Sequence, residues 1–134
     1  MFLLLDVDRF KTINDECGHV AGDKVLVAVA DALSTSMRKT DVVYRLGGDE
    51  FAAFAPGLTS EQTAKRISDR LPQKVSDVQI PELKGRSVHV SVGMTFTWTD
   101  QKESFEELYR RADEGMYDSK QHGGNRETIQ AASD

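Results

Sequence analysis

With a single cysteine, Cys17, the chain can form no intrachain disulfide, so its fold must rest on burial and hydrogen bonding, and a reducing compartment fits. Long hydrophobic runs are missing too. The longest near the start, Met1 to Leu5, is far too short to span a bilayer and is followed at once by Asp6 and Asp8. That run is neither a transmembrane helix nor a secretion signal; it reads as a buried strand, and a cytoplasmic domain is expected. There is no basic excess: the net charge of −5 argues against a broad cationic surface for nucleic-acid phosphates. Linkers, repeats and low-complexity stretches are absent, so the 134 residues are read as one domain, 1–134.

What is present is ordinary globular material, 39% hydrophobic and 29% charged. Phe2 to Val7 reads as a strand that ends in carboxylates. Arg9 to Asp15 has helical spacing in Phe10 and Ile13; Gly18 and Gly22 then break the pattern. A second helix is predicted from Asp23 as its cap, with Val25, Leu26, Val29, Ala30 and Leu33 on the apolar side, stopping before Asp41. Val42 to Leu46 and Phe51 to Ala55 read as a hairpin with Gly47, Gly48, Asp49 and Glu50 at its tip. Thr59 with Gln62 resembles a capping box for a helix reaching about Leu71 and ended by Pro72. A loop with Pro81 and Gly85 follows. Alternation from Val88 to Trp98 predicts a long half-buried strand, and Ser104 with Glu107 a capping box for a last helix ending at Gly123 and Gly124. The order of elements suggests an α+β fold, an antiparallel sheet with helices on its faces.

Asp6 and Asp8 lie two residues apart on one strand and so share a face. If the hairpin lies beside that strand, Asp6 and Asp49 converge as hard oxygen ligands suited to Mg²⁺. Gly47 and Gly48 would let a phosphate approach the backbone with no Cβ in the way. Taken alone, the Gly-Gly-Asp-Glu tip could equally be a tight turn with solvated acids. Zinc is a poor alternative, because Cys17, His19 and His122 match no usual ligand spacing.

Three separated blocks change the balance. Asp6-Val7-Asp8-Arg9-Phe10-Lys11-Thr12-Ile13-Asn14-Asp15, then Gly18-His19-Val20-Ala21-Gly22-Asp23, then Arg45-Leu46-Gly47-Gly48-Asp49-Glu50-Phe51 together resemble the GGDEF family of diguanylate cyclases. A fourth block, Ala112-Asp113 with Met116-Tyr117 and Lys120, is similar to the family's last helix. The resemblance implies a palm-like nucleotidyl cyclase fold that condenses two GTP into cyclic di-GMP with loss of two pyrophosphates. It implies Mg²⁺, with Mn²⁺ as a substitute, held by Asp6, the Val7 carbonyl, Asp49 and Glu50. Asp49 and Glu50 are then the catalytic carboxylates. Phe10, Lys11, Gly47, Gly48 and Lys120 are implied around the substrate, and Asn14 and Asp23 at the guanine edge, where an amide and a carboxylate match its acceptor and donors. Arg38-Lys39-Thr40-Asp41 stands at the spacing of the family's product-inhibition motif, which implies cyclic di-GMP at Arg38 and Asp41.

The family pattern also implies a transient homodimer. It implies a segment before the first strand, which this chain lacks, and a sensory domain before that, with membrane attachment open to the full-length protein. At Gly124 the chain departs from many members, which carry an arginine there; Arg126 is the nearest other cation. The alternative reading is a catalytically weak or inactive module that senses GTP or cyclic di-GMP.

Overall fold

The computed structural model describes residues 1–97, 103–121 and 127–130. Trp98, His122, Gly123, Gly124 and Arg126, named above, lie outside them. In order, the elements are β1 (Phe2–Val7), α1 (Phe10–Cys17), α2 (His19–Ser36), β2 (Val42–Gly47), β3 (Glu50–Phe54), α3 (Glu61–Ser76), a 3₁₀ turn (Pro81–Leu83), β4 (Val90–Thr95), α4 (Phe105–Gln121) and β5 (Glu127–Gln130). The strands form one sheet in the order β2-β3-β1-β4-β5. All pairings are antiparallel except β4 with β5, which is parallel. The fold is α+β with helices on both faces, as the sequence suggests.

β1 sits at the sheet's centre, and its side chains alternate between two cores. Leu3, Leu5 and Val7 join a large cluster with Val25, Val29 and Leu33 of α2 and Leu71 and Val75 of α3. Phe2 and Leu4 face the other way, onto Leu108, Ala112 and Met116 of α4. Burial on both faces is why the strand reads as an unbroken apolar run rather than an alternation. The same cause corrects the reading of β4. It is shorter than Val88 to Trp98 and buried throughout, including Ser91, Gly93 and Thr95. A Cβ on Gly93 would lie 2.0 Å from the Ala112 carbonyl oxygen and 2.6 Å from the Met116 nitrogen, so α4 rests directly on this strand.

α4 is also pinned by its one buried guanidinium among the described residues. Arg111 donates to Thr95 Oγ1 at 2.6 Å and to the Phe96 carbonyl at 3.1 Å, and pairs with Glu103. Its N-terminus is capped as expected, the Glu107 N–H donating to Ser104 Oγ at 3.2 Å. This seating sets where Tyr109 and Lys120 project.

Three helix boundaries differ from the sequence expectation. α2 starts at His19, after Gly18 with φ 90°, and Gly22 and Asp23 lie inside it; Asp23 is not its cap. The first turn closes through the Gly22 N–H to the Gly18 carbonyl, 3.2 Å. α3 is capped by Ser60, whose hydroxyl accepts from the Thr63 N–H at 3.2 Å, and not by Thr59. It also runs through Pro72 to Ser76. Burial of Leu71, Pro72 and Val75 holds that last turn against the loss of one backbone hydrogen bond. Among the described residues no helix is long and apolar enough to cross a membrane.

Candidate active site at the end of the central strand

The strand pairing brings the first and third sequence blocks together. Asp6 lies opposite Glu50 in the β1–β3 register, and the Val7 N–H donates to the Asp49 carbonyl at 3.2 Å. An extra residue bulges β2 between Arg45 and Gly47, and Gly48 follows at φ 53°. That left-handed conformation favours glycine. Arg45 fastens the turn by donating from Nε to the Gly48 carbonyl at 2.9 Å. A Cβ at Gly47 or Gly48 would meet nothing within 4 Å, so the backbone there is open to a bulky ligand.

Asp6 is the electrostatic centre. One carboxylate oxygen is bonded to Lys120 Nζ; the other, Oδ1, is buried without a hydrogen-bond partner. Burial pushes its carboxyl up to about 6 from an ordinary 3.8; Lys120 pulls it down, and the neighbouring Asp49 carboxylate pushes it up again. Lys120 shows the reciprocal effect. Burial alone would lower its ammonium, but Asp6, with Asp8 and Asp49 behind it, raises it. A buried carboxylate with an orphaned oxygen beside a second carboxylate is short of positive charge, the condition a divalent cation meets.

The residues therefore fit Mg²⁺. Among the described residues no three His, Cys, Asp or Glu side chains form a ready-made metal cage. Mg²⁺ does not need one, since it keeps waters and uses substrate phosphates alongside one or two carboxylates. Asp8, on the same strand end, is engaged elsewhere: its Oδ1 accepts from Ser91 Oγ at 2.7 Å, tying β1 to β4. Glu50 has a partner that no sequence block suggests. Tyr109 of α4 donates its hydroxyl to Glu50 Oε1, and this bond together with burial raises the phenol well above its ordinary range.

The second block is assembled between α1 and α2. A Cβ on Gly22 would lie 1.9 Å from Asn14 Oδ1 and 3.4 Å from Phe10 Cζ, so Phe10, Asn14 and the helical turn bearing Asp23 are adjacent. Lys11 and Asp23 are exposed, and Phe10 and Asn14 half-buried.

Arg38 and Asp41 form their own unit. Asp41 is wholly shielded at its side chain, accepting from the Arg38 backbone N–H at 2.7 Å and from its Nη2 at 3.0 Å; Arg38 also donates to the Pro56 carbonyl at 2.8 Å. Half of the Arg38 side chain remains open to solvent. A cavity of about 510 Å³ between α2 and α3, beside Arg66, Arg70 and Lys74, shares no residue with the carboxylate site.

Comparison with known proteins agrees with this geometry. The family model for the diguanylate cyclase GGDEF domain matches residues 1–126. Diguanylate cyclase DgcM of Escherichia coli K12 is 40% identical over 124 residues, covering 92% of this chain and 29% of that protein. Among solved structures, the active GGEEF domain of a diguanylate cyclase from Vibrio cholerae aligns with a TM-score of 0.85 and 28% identity, covering 98% of this chain and 83% of that one. The GGDEF domain of DgcB from Caulobacter crescentus in complex with c-di-GMP aligns at 0.82 and 28%, covering 97% and 75%. The chain spans 18 to 34% of the length of the first curated relatives it matches. With its signature turn beside the carboxylate-ended strand and the family model covering nearly its whole length, the chain belongs to the GGDEF-domain family of diguanylate cyclases.

Proposed function

We propose that this domain condenses two GTP molecules into cyclic di-GMP and releases two pyrophosphates. The observation that carries the reading is the orphaned, buried Asp6 oxygen next to Asp49, at the point where β1 meets the signature turn. In each of two equivalent steps the 3′-oxygen of one GTP forms a bond to the α-phosphorus of the other. The bond from that phosphorus to the bridging oxygen of pyrophosphate breaks, and the hydroxyl proton is given up.

Asp6, the Val7 carbonyl and Asp49, with Glu50 as a further ligand, would hold Mg²⁺. Bound there, the cation supplies charge stabilisation for the attacking and leaving oxygens. In this reading Asp49 orients the incoming hydroxyl or helps to take its proton. Lys120, paired with Asp6 in this structure, and Lys11 on the first turn of α1 neutralise charge accumulating on pyrophosphate. Gly47 and Gly48 admit the triphosphate, Phe10 flanks the base, and Asn14 and Asp23 hydrogen-bond the guanine edge.

One domain can present an α-phosphate or a foreign hydroxyl, but the product has two equivalent phosphodiester bonds. Two copies facing each other as half-sites meet that demand. No long heptad seam in the sequence would hold them permanently. The specific rate is therefore expected to rise with protein concentration, roughly in proportion while monomers dominate. Initial rates over about a hundredfold range of enzyme at saturating GTP and Mg²⁺ test this. A specific rate that is constant from the lowest concentration contradicts transient pairing.

Cyclic di-GMP is proposed as an inhibitor at the Arg38 turn. Asp41 holds the guanidinium in place and the open half of Arg38 meets the ligand, its planar fork suited to phosphate and its face to a base. Calorimetry with cyclic di-GMP is expected to show affinity falling on the order of tenfold or more in Arg38→Ala. Unchanged affinity would leave the pair a surface ion pair only. Sensory input is proposed to come from a domain N-terminal to this one in the longer protein.

A further inference from the structure

Glu50, like Asp6 with Lys120, is held by a side chain of α4. Its Oε1 accepts from the Tyr109 hydroxyl, across 59 residues of sequence. Tyr109 is in turn braced. Its ring is tilted 45° against Phe105 with centroids 6.3 Å apart, and Phe105 meets Phe2 edge-on at 5.7 Å. Phe2 begins β1, the strand that carries Asp6 near its other end. The aromatic row thus starts at the base of the strand that carries Asp6, crosses to α4, and returns through a phenol to the residue facing Asp6.

We propose that Tyr109 is a positioning residue that fixes the Glu50 carboxylate, leaving Oε2 as the atom turned to the cation. The inference rests on the reading of Glu50 as a ligand given above. A free glutamate at a hairpin end has three rotatable bonds, and each must be restricted before it can serve as a ligand. A phenol packed on Phe105, which in turn packs on Phe2, restricts them in advance, as partners behind a ligand commonly do; removing such a partner weakens metal binding about 10–100-fold.

Tyr109→Phe removes the hydroxyl and keeps the ring row. The measurement is the Mg²⁺ concentration giving half-maximal binding of a non-hydrolysable GTP analogue, read by calorimetry without turnover. A rise of about tenfold or more is expected, with the melting temperature of the metal-free domain little changed. In turnover, the Mg²⁺ requirement should shift by the same factor while KM for GTP at saturating Mg²⁺ holds. An unchanged Mg²⁺ requirement overturns the proposal, as does a lowered melting temperature with no metal effect, which marks Tyr109 as packing alone. Glu50→Gln is run beside it. If Glu50→Gln weakens the Mg²⁺ dependence and Tyr109→Phe does not, the positioning role fails and the ligand reading stands. If Glu50→Gln leaves the dependence unchanged, the ligand reading fails and the positioning role falls with it.

Discussion

Asp6→Asn and Asp49→Asn are each expected to remove cyclic di-GMP synthesis by on the order of 10³-fold or more while the domain stays folded. Several kcal/mol of charge stabilisation at the reacting phosphate depend on these two oxygens, and each 1.4 kcal/mol is about tenfold in rate. Stability moves the other way. The folded domain prefers a protonated Asp6, because burial raises its carboxyl from 3.8 to about 6. Within that window the fold binds a proton that the unfolded chain has released, so metal-free stability falls as pH rises through it. Asn carries no charge to bury; the metal-free melting temperature of Asp6→Asn should not drop, and its fall with pH should flatten. Activity assays and metal-free melts across pH check both halves. Near-parental turnover in either variant would remove the metal assignment.

Gly22→Ala is the second large effect, and it too separates function from stability. Alanine is preferred to glycine inside a helix by up to about 1 kcal/mol. Its Cβ, however, would stand 1.9 Å from Asn14 Oδ1. The obstacle is the end of a side chain, so Asn14 rotates away and the fold adapts. The guanine contact proposed for Asn14 is then lost, and a site built to hydrogen-bond its ligand loses on the order of 10²-fold when one partner leaves. We expect a melting temperature at or above that of the parent, with preference for GTP over ATP reduced by that factor. Competition between the two nucleotides reads it directly. Unchanged preference would place Asn14 outside base recognition.

Gly22 also shows where sequence reading reached its limit. Glycine is a poor helix former, so next to Gly18 it was natural to end one helix and cap the next at Asp23. Its actual reason is space for Asn14, a contact between two helices that no local pattern encodes. Pro72 is similar: local propensity favours termination, and burial of the last turn of α3 overrides it. β4 looked half-buried because the alternating valines show one face only; the seating of α4 on Gly93 buries the other. By contrast, β1 and the signature hairpin were legible, since an apolar run ending in acids and a two-glycine turn are each local. The convergence of Asp6 with Asp49 needed only that these two neighbours pair, and they do. Tyr109 left no signal. Spaced four residues from Phe105, it looks like ordinary packing, and only the tertiary fold shows its hydroxyl on Glu50.

The central claim is that this domain joins two GTP molecules, and the most direct test is the nucleotide content after incubation of concentrated domain with GTP and Mg²⁺. Chromatographic separation is expected to show cyclic di-GMP accumulating with two pyrophosphates for each molecule formed, and none when Mg²⁺ is chelated. GTP that binds the folded domain yet remains intact at the highest protein concentration would contradict the account and make the domain a nucleotide sensor.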